Sequence, residues 1–163
     1  MSEPTLFDKI LSGEIPSFKV WEDEHYLAFL TPFPSTPGLT VVIPKENPGD
    51  YVFDMDEPTV NGLMLASKKV AKLLEKALGV QRVGLVFEGT GVAHLHAKLY
   101  PLHGDLAGQT GVWSKHQEFY PEYIGYFSTV EGPRMADEEL KAIQKKIQSS
   151  FAEAPDDKET ANG

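Results

Sequence analysis

His94-Leu95-His96-Ala97-Lys98-Leu99-Tyr100-Pro101 alternates polar and apolar side chains, and that alternation decides how the chain folds around it. In an extended strand, successive side chains point to opposite faces. Leu95, Ala97 and Leu99 would therefore anchor one face in a core while His94, His96 and Lys98 stand on the other. Residues two apart on a strand lie about 6.5–7 Å apart at Cα. Two imidazoles and an ammonium thus form a row able to meet successive groups of an extended ligand such as a polyphosphate. A charged residue on that face argues against apolar burial and predicts an accessible cationic or near-neutral groove.

Upstream, Glu88-Gly89-Thr90-Gly91 reads as a glycine turn joining this strand, over 93–100, to another over Val83–Phe87. Gly89 and Gly91 serve either the turn alone or the close approach of backbone N–H groups to a ligand. Before that pair, Val60, Leu63, Met64, Ser67, Val70, Ala71, Leu74, Ala77 and Leu78 follow a 3.6-residue stripe. Pro58 opens this helix and Gly79 closes it. Leu39–Ile43 is a short apolar run typical of a buried strand, and the three prolines in 31–38 make that stretch loop. Phe18–Trp21 and Tyr26–Leu30 flank the acidic turn Glu22-Asp23-Glu24-His25 as a hairpin, with His25 expected in solvent. Thr5–Leu11 reads as a short opening helix that stops at Gly13. Beyond Pro101, Trp113, Phe119, Tyr120, Tyr123, Tyr126 and Phe127 show no clear period and suggest irregular packing over the domain or a second subunit. Asp137 is placed to cap a last helix carrying Leu140, Ile143 and Ile147, and 152–163 reads as a disordered tail.

The chain has 163 residues, 15 basic and 24 acidic, for a net charge of −9. Broad contact with nucleic acid or an anionic membrane needs a basic surface, so neither is expected, and any anionic ligand must meet a local positive pocket. Without cysteine, disulfides and thiolate metal sites are excluded. No apolar N-terminal stretch resembles a signal peptide or a membrane span, and a soluble cytoplasmic protein is the simplest expectation.

Three chemistries fit the histidines. Each ring can simply be hydrogen-bonded in a polar patch. Neutral imidazoles can bind zinc with His103 or His116 as third ligand, although Lys98 would repel the metal. Or one imidazole, its tautomer fixed by an acceptor, can attack phosphorus while adjacent positive charge stabilises the oxygens and leaving group. An ordinary lysine pKa near about 10.4 suits Lys98 to electrostatic stabilisation better than to proton donation.

Gly13-Glu14-Ile15-Pro16, Trp21-Glu22-Asp23-Glu24, Leu27-Ala28-Phe29, Pro37-Gly38 and Val42-Ile43-Pro44-Lys45, followed by His94-Leu95-His96 and Leu99-Tyr100-Pro101, resemble the histidine triad (HIT) superfamily over about residues 5–103. The resemblance implies an α+β, HIT-like fold with a five-stranded antiparallel sheet, to which the residue patterns above add one long helix, a short N-terminal helix and an irregular C-terminal extension ending in a helix. The organisation expected is a HIT-like nucleotide-binding domain at 1–104, a C-terminal extension at 105–151 packed on the same domain or a dimer partner, and a disordered tail at 152–163.

The activity it implies is that of a nucleotidyl hydrolase or transferase acting on a nucleotide phosphoester, phosphoramidate or dinucleoside polyphosphate, in a homodimer. His96 would be the nucleophile and form a nucleotidyl-histidine intermediate, His94 its support, and Lys98 would stand where the third triad histidine normally meets phosphate and leaving group. Thr31 lies where many members carry an aspartate for the ribose, and Phe87 where many carry an asparagine. Gly89, Gly91, Thr31 and His103 are the candidate substrate contacts, with a strand end for Thr31 and a surface position for His103 as the plainer readings. Thr5 and Asp8 occupy the places of cysteine zinc ligands found in some members, so no structural zinc is expected. No cofactor is called for, and whether a divalent ion accompanies a purine nucleotide substrate stays open. The alternative is a non-catalytic nucleotide-binding or protein-interaction module that has lost the full triad.

Overall fold

The structure, a computed structural model, describes residues 3–106, 114–128 and 133–152. The chain divides into two compact units, Met1–Gly108 and Gln109–Gly163. The first opens with α1 (Leu6–Leu11). Thr5 caps it: the Thr5 Oγ1 accepts from the Asp8 N–H at 3.2 Å, and the Asp8 carboxylate accepts from the Thr5 N–H at 2.7 Å. This reciprocal capping box satisfies two N–H groups that a six-residue helix could not satisfy internally.

β1 (Phe18–Glu22) and β2 (Tyr26–Leu30) form the expected hairpin. Its turn uses Asp23 in place of an Asn-Gly pair, the carboxylate accepting from the N–H groups of His25 and Tyr26 at 2.9 and 2.8 Å. His25 is exposed there, as expected. β3 (Thr40–Pro44) pairs antiparallel with β2, and four of its five residues are buried. The loop 31–38 between them closes through the Thr31 N–H donating to the Leu39 carbonyl at 3.2 Å.

A single 3₁₀ turn, Val52–Asp54, precedes α2 (Glu57–Leu78). The Asp56 side chain caps α2 from the Thr59 N–H at 3.0 Å, and Gly79 ends it in the left-handed region at φ +66°. β4 (Val83–Glu88) and β5 (His96–Pro101) complete a five-stranded antiparallel sheet of order β1-β2-β3-β5-β4.

Each face of the sheet has its own core. On one, Ala28, Val42, Leu95, Ala97 and Leu99 pack against Leu63, Ala66, Val70 and Leu74 of α2. Full burial of a leucine such as Leu95 or Leu99 stabilises by about 1.5–3 kcal/mol, which holds β5 in register. On the other, Phe7 of α1 lies over Leu27, Phe29, Val41 and Ile43.

In the second unit, 114–128 carries no helix or strand, and Phe119, Tyr120, Tyr123, Tyr126 and Phe127 are exposed. The expected irregularity is thus present. Trp113 and the tail beyond Ala152 lie outside the described residues. α3 spans Asp137–Ala152. Asp137 opens α3 as its first residue rather than as the cap preceding it, and its carboxylate pairs with Arg134 at 2.6 Å. Among the described residues no helix is long and apolar enough to cross a membrane.

Candidate active site

β5 begins at His96, three residues later than the alternation predicts. The preceding residues are held by the 45–50 loop instead of by β4. The Leu95 N–H donates to the Gly49 carbonyl at 2.6 Å, and the Asn47 amide donates to the Ala93 carbonyl at 2.9 Å. His94 nonetheless keeps the strand-like alternation, because Leu95 is fully buried on the α2 face. His94, His96 and Lys98 occupy the opposite face, where Phe7 meets the rings of His94 and His96 edge-on at 5.6 and 5.1 Å.

The hydrogen bonds fix both tautomers. His94 Nε2–H donates to the Pro44 carbonyl at 2.9 Å, and His96 Nδ1–H donates to the His94 carbonyl at 2.8 Å. A neutral imidazole carries one proton, so the lone pair of His96 is on Nε2. His94 Nδ1 makes no hydrogen bond and lies 3.9 Å from the Asp8 carboxylate. Burial lowers the pKa of His94, opposed by its bond to Pro44 and by Asp8. Burial likewise lowers that of His96, with Lys98 and His94 adding to the effect and the His94 carbonyl and Glu88 opposing it. Both rings are therefore neutral at physiological pH.

Two expectations are corrected. The open groove is absent at the rings themselves: His94 is 0 % and His96 2 % exposed, because Phe7 and the sheet close over them. Nor is Lys98 a bare cation, since its ammonium forms an ion pair with the half-buried Glu88. Glu88 stands directly across from His96 in the β4–β5 register and also accepts from the Thr90 hydroxyl at 3.1 Å. Glu88, Phe7 and Asp8 are the neighbours that sequence reading did not attach to the histidines. Only the register could have supplied Glu88, by counting back through the 89–95 connection.

The remaining candidates have structural partners. A Cβ on Gly89 would lie 1.6 Å from the Asp50 carbonyl oxygen, so glycine is required there by a close backbone approach. Gly91 faces open space. The Thr31 hydroxyl accepts from the Phe33 N–H at 3.2 Å. Exposed His103 donates from Nε2 to the Pro37 carbonyl at 2.8 Å, and so both residues fasten the 31–38 loop.

One nitrogen of each of His94, His96 and His103 faces a carbonyl, Thr5 and Asp8 cap α1, and His116 pairs with Glu118 at 3.0 Å. Among the described residues no group of three His, Cys, Asp or Glu could hold a metal ion.

The profile of the HIT domain family matches residues 12–104. The chain belongs to the HIT domain family. Among the relatives of this HIT protein, "Protein hit" of Bacillus subtilis (strain 168) is 33% identical over 141 residues, covering 83% of this chain and 97% of that one. Adenosine 5'-monophosphoramidase hnt1 of Schizosaccharomyces pombe is 29% identical over 146 residues, covering 90% and 97%. The crystal structure of SMU.412c from Streptococcus mutans UA159 superposes at a TM-score of 0.62 with 28% identity, covering 93% and 87%. The α+β fold with its five-stranded antiparallel sheet is thus that of the HIT structures.

Proposed function

We propose that this HIT protein is a nucleotidyl hydrolase or transferase that cleaves a nucleotide at its α-phosphate. The observation that carries the reading is the His96 Nδ1–H bond to the His94 carbonyl, which leaves the Nε2 lone pair for attack. In the first step the Nε2–P bond forms as the bond from phosphorus to the leaving group breaks, and the departing pair develops negative charge. Lys98, two residues along the same face, supplies positive charge to that group and to the phosphoryl oxygens. Water or another acceptor then takes the nucleotidyl group from His96. The leaving group is an alcohol, an amine or the remainder of a dinucleoside polyphosphate. The monophosphoramidase activity named for the fission yeast relative supports a phosphoramidate among these. Thr31, His103, Gly89 and Gly91 remain the proposed substrate contacts, and the working form is a homodimer.

His96→Ala and His96→Asn should abolish turnover of a panel of adenine and guanine phosphoesters, phosphoramidates and dinucleoside polyphosphates, while the native protein yields a nucleotidyl adduct on His96 after acid quench. Full turnover by both variants would overturn the assignment. A second reading, a nucleotide-binding or interaction module without turnover, is favoured by the 2 % exposure of His96 and by the ion pair that neutralises Lys98. Calorimetric binding of AMP with no turnover of any nucleotide in the panel would select it.

A further inference from the structure

Glu88 is the feature that nucleophilic attack by His96 leaves unexplained. Its side chain is only 12 % exposed, and a carboxylate set that deep is unfavourable unless a cation and hydrogen bonds satisfy it. Lys98 and the Thr90 hydroxyl do so, but an apolar pair at these cross-strand positions would serve the fold as well. The chemistry gives the carboxylate a use. When Lys98 turns to the phosphoryl oxygens, the Glu88 carboxylate keeps the Thr90 hydroxyl on one oxygen and has the other free to accept a proton.

A nucleotidyl-His96 intermediate can be hydrolysed only if the attacking water gives up a proton. The groups on this face of the sheet are then nearly all committed. In the intermediate His96 Nε2 is bonded to phosphorus and Nδ1–H to the His94 carbonyl. His94 Nε2–H is bonded to Pro44, and its Nδ1 is sealed in the interior. The Asp8 carboxylate takes both Thr5 hydrogen bonds on Oδ2, and its Oδ1 faces His94, not His96, at 3.9 Å. The Lys98 ammonium carries donors only. Glu88 is the carboxylate that stands directly across from His96 in the sheet register, and the departure of Lys98 frees one of its oxygens.

We propose that Glu88 is the general base of the second half-reaction, a role that rests on the nucleotidyl-His96 reading above. Water oxygen attacks phosphorus and its proton passes to the Glu88 carboxylate. The Nε2–P bond breaks and its electron pair returns to Nε2. The carboxylic acid then releases its proton to solvent as Lys98 swings back, and the departed leaving group has taken its own proton from solvent.

The test uses the p-nitrophenyl ester of AMP, whose leaving group departs without protonation and so isolates the second step. In the full chain, Glu88→Gln should release a burst of about one p-nitrophenolate per site and then turn over about 10²–10⁴-fold more slowly than the native protein. The adduct on His96 should accumulate, and formate should restore turnover to Glu88→Ala. Native turnover without a burst in Glu88→Gln would overturn the proposal, as would loss of the burst together with turnover. No release by the native protein would instead remove the nucleotidyl-transfer reading itself, and this role with it.

Discussion

His94 and His96 couple the protonation of the site to the stability of the fold. In the unfolded chain both rings take up protons as pH falls through about 6.5. In the folded chain burial lowers both pKa values, so the protons arrive later. The unfolded state therefore binds more protons below pH 6.5, and the stability of the neutral rings is fully present above that pH and lost as pH falls toward the lowered folded values. Each ring contributes a slope of at most about 1.4 kcal/mol per pH unit in this window. Asp8 belongs to a lower one: the Thr5 hydrogen bonds lower its pKa, so its contribution persists until pH falls below the ordinary carboxylate value. Urea midpoints should drop as pH falls below about 6.5 and stay level above about pH 7. With His96 as the proposed nucleophile, the acid limb of kcat/KM should lie below the ordinary imidazole value of about 6.5, because burial lowers its pKa. A midpoint that is flat through the lower range, or a limb at 6.5 or above, would mean that the rings charge freely in the folded protein.

At the scale of elements, the turn between β4 and β5 depends on one missing side chain. Gly89 passes so close to Asp50 that a Cβ would meet backbone at 1.6, 2.5 and 2.8 Å, and neither segment can yield as a flexible side chain would. Gly89→Ala should destabilise by about 3 kcal/mol or more, the upper range for overpacking, whereas Gly91→Ala meets no neighbour and carries only the strain of its positive φ. Thermal unfolding of the two variants checks the order, and a Gly89→Ala protein as stable as the native one would mean that the 45–50 loop gives way. Both glycines are visible in the sequence, yet nothing there distinguishes them, because the distinction is a contact across 39 residues of chain.

The same limit explains what sequence reading found and missed. Strands β2, β3 and β5 follow from alternation or continuous apolar runs, and α2 follows from its stripe and caps, since these are local patterns. The pairing of Lys98 with Glu88 and the closure of Phe7 over the rings are nonlocal. A charge on the histidine face suggested exposure, but that inference assumed no carboxylate partner.

At the scale of the molecule, the two edges of the sheet are not equivalent. β1 is interrupted by a bulge between Lys19 and Trp21, and Lys19 forms an ion pair with Glu22 along it. Bulges and charges of this kind protect an edge from pairing with another chain. β4 has neither. Val83-Gly84-Leu85-Val86-Phe87 pairs with β5 in unbroken register, contains no charge or proline, and leaves Leu85 38 % exposed with its outer hydrogen-bonding side unpaired within the sheet. On the homodimer proposed above, this apolar edge is the one expected to be covered, by a second copy of β4 in a two-fold antiparallel contact. Light scattering should then report twice the 18.0 kDa of the chain. Leu85→Lys should shift it to the monomer, and Val20→Lys on β1 should not. A native monomer at micromolar concentration would remove the homodimer, and dissociation by Val20→Lys alone would place the contact on the bulged edge, against the reasoning from edge protection.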